Sequence, residues 1–165
     1  MQNADKMELP FLAGLNDADE PVFESLEVEF MTNSSDHVRL IKSPLLTRNL
    51  AAGDILRIIN PDTAEYELVK RSGNLCIRVF GKEYLNEIEE ALSSKLEKLG
   101  GSLDLHTSHA LVYAIHVSIG FQTIENIIDE TCKDYPEVAW YYGNVYDPED
   151  GKTPLEWWLE FDSQN

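Results

Sequence analysis

Asp104, His106, His109 and His116 fall within the stretch "DLHTSHALVYAIH", the densest group of metal-binding side chains in the sequence. Zinc takes neutral imidazoles at about 2.0 Å in a tetrahedral set. On a hairpin His106 and His109 can converge, which makes them the candidate metal ligands. His116 lies seven residues beyond His109, roughly 20 Å along an extended strand, so it does not complete the set. A zinc pattern also needs a second, well-spaced ligand pair. The expectation is no metal and no cofactor, with a polar β-turn and one hydrogen-bonded core histidine in their place.

Nucleophilic chemistry needs a thiol or hydroxyl activated by a base or by a positive helix end. Cys76 follows Leu75 in a predicted strand, and Cys132 sits late in a predicted helix, at the negative end of its dipole. Both read as reduced core thiols outside any CxxC pair. No GxSxG, GxGxxG or Walker A stretch occurs. In "DPEDGK", counting from Asp147 puts Gly151 at position five and Trp158 at position twelve. A calcium loop needs glycine at six and glutamate at twelve, so this stretch reads as a turn. No residue is assigned a catalytic role.

Eight bases, Arg39, Lys42, Arg48, Arg57, Lys70, Arg71, Arg78 and Lys82, lie between residues 37 and 82 against four acids. Residues 1–36 sum to −8 and residues 83–165 to −13. The plain reading pairs those bases with the acidic flanks. Arg57 and Arg78 are the candidates for orienting a carboxylate or phosphate in a pocket between the two halves. The acidic carboxyl half would repel a phosphate backbone, which argues against direct nucleic-acid binding. It suits a basic protein partner.

Hydrophobic periodicity supplies the elements that must position these groups. Residues 1–22 form a Pro-punctuated lead with no predicted element. "FESLEVEFMT" sets Leu26, Val28 and Phe30 against Ser25, Glu27 and Glu29, and "HVRLIK", "ILRIIN" and "YELVKRS" follow between polar turns. These four strands predict a small antiparallel β layer or half-barrel over residues 23–73. Residues 74–147 then run strand, helix, strand, strand, helix, strand. The first helix carries Leu85, Ile88, Leu92, Leu96 and Leu99 in one stripe and stops at Gly100-Gly101; the second carries Phe121, Ile124, Ile128, Cys132 and Tyr135. That βαββαβ order is the ferredoxin-like arrangement, and the fold class is α+β. Both helices cover one sheet face, leaving the other for the amino-terminal strands or a partner.

Residues 148–165 read as an acidic turn and a short helix. Thr153 with Glu156 makes a capping box, and Pro154 falls at the first helical position. Leu155, Trp158 and Leu159 would form one stripe, with Trp157 and Phe161 on another. Trp157 and Phe161, ringed by Glu156, Glu160 and Asp162, would act with Trp140, Tyr141, Tyr142 and Tyr146 as an aromatic partner-binding surface in acidic surroundings.

"SPLLTRNLAAGDILRI" followed by "YELVKRSGNLCIRVF" resembles the bacterial domain of unknown function 4265 family, over about residues 26–147. Asn74 follows Ser72-Gly73 where that family commonly has histidine, so no role for that histidine transfers. "WYYGNVYDPEDG" more weakly resembles the tail of the acidic ribonuclease E inhibitor family B. The first resemblance implies a ferredoxin-like half without an assigned activity; the second implies inhibition of a nuclease by direct protein contact.

With 43% hydrophobic residues, the 165-residue chain can bury a core despite its net charge of −17. Its start lacks the basic and apolar regions of a signal peptide, and no run reaches the roughly 18 apolar residues of a membrane span. The expected protein is cytoplasmic and not bound to membrane. The leading reading is a non-enzymatic inhibitor or immunity-type protein that grips a basic protein partner. The alternative is a small-molecule sensor or enzyme with a site between the halves, drawing on His106, His109 and Arg78. Homodimerisation through the open sheet face is a third reading.

Overall fold

A computed structural model describes residues 6–162. Its first sheet is an antiparallel meander of five strands in chain order: β1 (Lys6–Leu15), β2 (Pro21–Phe30), β3 (His37–Leu40), β4 (Ile55–Asn60) and β5 (Glu65–Lys70). Alternation puts Leu26, Val28, Val38, Leu40 and Leu56 on one face, where they are buried. The sheet curls until its two ends meet, with the rings of Phe11 on β1 and Tyr66 on β5 edge to face at 5.0 Å. The half-barrel therefore has five strands rather than four.

The lead to residue 22, whose weak periodicity assigns it no element, contains β1; residues 1–5 lie outside the described part. Pro10 and Gly14 hide this strand from a pattern search. Pro10 is tolerable because β1 is an end strand with one ladder partner. At Gly14 the register with β2 shifts, which interrupts the period of two. Asn16 closes the hairpin by accepting the Ala18 and Glu20 N–H groups on its side-chain oxygen.

The second sheet contains β6 (Asn74–Phe80), β7 (Ser102–His106), β8 (Ala110–His116) and β9 (Ala139–Tyr142), in the antiparallel order β7-β8-β6-β9. With α1 (Leu85–Glu97) after β6 and α2 (Phe121–Cys132) after β8, this is the ferredoxin-like half. Leu85, Ile88, Leu92 and Leu96 of α1 and Ile124 and Ile128 of α2 are buried against Leu75, Ile77, Val79, Leu111, Tyr113 and Ile115 of the central strands. Gly100, at φ +90°, ends α1, and the Gly101 N–H closes on the Leu96 carbonyl.

The sheet face away from the helices is covered by the long β3–β4 connection, which packs Ala51 and Leu45 on Cys76 and Val112. This explains why β6 and β8 are buried on both sides. Among the described residues no helix is long and apolar enough to cross a membrane.

The capping box at Thr153 does not form. The Thr153 hydroxyl and N–H both go to the Asp150 carboxylate, Pro154 bridges to Tyr146, and Glu156 adopts φ +62°. The helix is cut back to α3 (Leu159–Asp162). An aspartate three residues upstream out-competes the predicted cap because it offers both oxygens to one turn. These bonds, from the Thr153 side chain first and then the amides, hold the Asp150 carboxyl down at about 2. A carboxyl depressed on folding contributes stability above its unfolded value near 4, and that contribution is lost as pH falls through 2. Carboxyl-carbon NMR should show Asp150 titrating near 2. A midpoint near 4 would mean that the Thr153 contacts do not persist in solution.

Candidate functional site

The two halves meet along a polar seam whose buried groups are all hydrogen-bonded among the described residues. Asp54, 1% exposed, accepts the Ala51 and Ser72 N–H groups, and burial pushes its carboxyl up. Asn144 accepts the Cys76 N–H and donates to the Asn74 carbonyl. Arg78 crosses the seam from β6: Nε donates to the Pro44 carbonyl at 3.1 Å and Nη2 to that of Thr47. The same turn gives the Leu45, Leu46 and Thr47 N–H groups to the Glu24 carboxylate. The turn dipoles are thus held between an acid at one end and a guanidinium at the other.

A cleft of about 690 Å³ opens where the first sheet meets the carboxyl-terminal aromatics, lined by Arg39, Lys70, Arg71, Trp157, Glu160 and Phe161 among others. Arg71 lies 5.2 Å above the Trp157 ring and donates to the Asn49 backbone and side-chain oxygens. Burial lowers its pKa. The Trp157 indole N–H donates to the Asn144 carbonyl at 2.8 Å, and its ring meets those of Trp158 at 5.7 Å and Phe161 at 5.8 Å. Both tryptophans pack on the main core, which is why they sit side by side at the tail.

The family model for "Domain of unknown function (DUF4265)" matches residues 24–136. The chain belongs to this family. A solved structure of a hypothetical protein from Neisseria gonorrhoeae is similar in fold, with a TM-score of 0.62 at 16% identity over 87% of this chain and 96% of that one. No curated protein matches. Within the DUF4265 span fall the cleft cations Arg39, Lys70 and Arg71 and the seam residue Arg78; Trp157 and Phe161 lie beyond it.

Of the residues singled out from sequence, the structure brings Trp157, Glu160 and Phe161 to the cleft. Tyr142 is buried, with its hydroxyl on Glu125 at 2.9 Å, and the Trp140 indole N–H donates to Asp129 at 3.0 Å. Tyr146 and Glu156 are exposed. The aromatic set is thus divided between core, helix flank and cleft. Arg57 pairs with Glu67 on the first sheet at 2.5 Å, far in topology from Arg78.

His106 and His116 pair with Leu111 and Asn74 at opposite ends of β8, and His109 bonds Ser108. Among the described residues no group of three His, Cys, Asp or Glu side chains could hold a metal. Burial pushes the Cys76 thiol up to about 11 and raises that of Cys132, the reverse of an activated thiol. Sequence reasoning missed Arg39, Lys70 and Arg71 as a group because β3 and β5 are not neighbours along the chain. Their common positive sign between residues 37 and 82 was the available signal.

Proposed function

We propose that this DUF4265 protein is a non-enzymatic binding protein whose ligand, an anion with an apolar or flat portion, occupies the cleft at the seam. One observation carries this reading: Arg39, Lys70 and Arg71 share that cleft with Trp157 and Phe161. Cations would attract the charged part, and the aromatic wall would take the apolar part. The probe is 8-anilinonaphthalene-1-sulfonate, a flat sulfonate, titrated into the folded protein. Saturable binding is expected, weakened about tenfold by Arg71→Ala or Trp157→Ala. Affinity unchanged from the unsubstituted protein in both variants removes the cleft from the function.

A second reading keeps the basic protein partner, gripped in the manner of an inhibitor or immunity protein. It is supported by the acids on the outward side of the helices, where Glu87, Glu90 and Glu97 of α1 and Asp129 and Glu130 of α2 are exposed. The cleft variants separate the two readings, since a basic partner on the helices would still bind them and would leave at high salt.

A further inference from the structure

We infer that a second cavity, bordered by the turn at residues 147–151, is an anion site built around Arg78 and Arg48 for a small carboxylate or phosphate with a flat apolar body. The cavity measures about 300 Å³, and Arg48, Arg78, Tyr141, Gly143, Tyr146 and Pro148 are among its walls. That volume is at the lower end for small-molecule pockets.

Three observations converge here. Arg78 is 1% exposed, and among the described residues no carboxylate lies within ion-pair distance of it. Buried charges are ordinarily paired; the carbonyls of Pro44 and Thr47 orient the guanidinium without neutralising it. Next, a Cβ on Gly143 would stand 2.9 Å from Arg78 Cζ and Nε and from Cys76 Sγ, so the absence of a side chain there lets the backbone lie against the guanidinium. Finally, Arg48 Nη1 donates to the Pro148 carbonyl at 3.1 Å, which fixes a second cation in the same wall.

Asp147, the acid of this wall, accepts the Glu149 N–H at 2.9 Å and so caps its own turn. The Tyr141 ring, 5.8 Å from Arg78 Cζ, and the exposed Tyr146 supply flat apolar surface. Neither Arg48 nor Arg78 lines the seam cleft, so this site stands or falls independently of it.

Amide and arginine Nε–H shifts of the full chain, titrated with benzoate and with phenyl phosphate, test the site, with benzylamine as the cationic control. Saturable shifts are expected at Gly143, Gly151 and Arg78 Nε with at least one anion and not with benzylamine. The tighter of the two anions identifies the ligand as carboxylate or phosphate. Because Arg78 also ties the seam, the exposed Arg48 carries the decision: Arg48→Ala should weaken binding about tenfold with an otherwise unchanged spectrum. Shifts that do not saturate, shifts confined to surface lysines, or equal affinity in Arg48→Ala would overturn the assignment.

Discussion

Arg78→Met should lower the unfolding free energy by about 3 kcal/mol, which for a chain of this size is a fall of roughly 6–12 °C in Tm. The loss arises at the seam, not in the sheet. Methionine fills much of the arginine volume, so β6 keeps its packing. The Thr47 carbonyl, however, loses its guanidinium donor and the Pro44 carbonyl keeps only the weak Cys76 thiol at 3.5 Å, and a buried acceptor left unpaired costs about 1–3 kcal/mol. Relief from burying a guanidinium offsets part of this. Arg78→Lys should recover less than half, because an ammonium cannot span two carbonyls as a planar fork does. Urea denaturation measures both variants. A loss below about 1 kcal/mol for methionine would mean that the two halves do not depend on Arg78.

Gly73→Ala is the second large effect, expected at about 2–4 kcal/mol. Gly73 has φ +96°, a conformation that costs an L-residue about 1–2 kcal/mol. An added Cβ would also lie 2.4 Å from His116 Nε2 and 2.8 Å from Phe161 Cε1, so these rings must move. His116 and Phe161 meet edge to face at 5.6 Å, and Phe161 braces Trp157 in the cleft wall. The variant should therefore shift tryptophan emission to the red and weaken the sulfonate probe as well as lowering Tm. Gly100→Ala is the control, since φ is +90° there with nothing within 4 Å. It should show the backbone cost and leave the emission unchanged. Equal losses in the two variants would remove the steric contribution and with it the coupling of Gly73 to the cleft.

The contrast between these glycines also marks where reading a sequence stops. Gly100 announces itself locally, after a stripe of leucines at helical spacing, and it ends α1 as expected. Gly73 follows a serine after a strand, and its crowding comes from His116 and Phe161, which arrive from far along the chain.

The sequence by itself determined eight of the strands, both long helices, the βαββαβ order and the family, because alternation and helical periodicity are properties of neighbouring residues. Only the tertiary structure decided the rest. Strand β1 exists because an end strand tolerates Pro10 and because the sheet curls to bring Phe11 onto Tyr66. The terminal helix is short because Asp150 captures Thr153 and Pro154 is held in the bridge to Tyr146. Arg39 and Arg71 share a cleft with Trp157, and Arg78 is sealed from Arg57, because strand order and the path of residues 41–54 place them so. Charge type can be read one residue at a time; which charges face one another is set by how the two sheets meet.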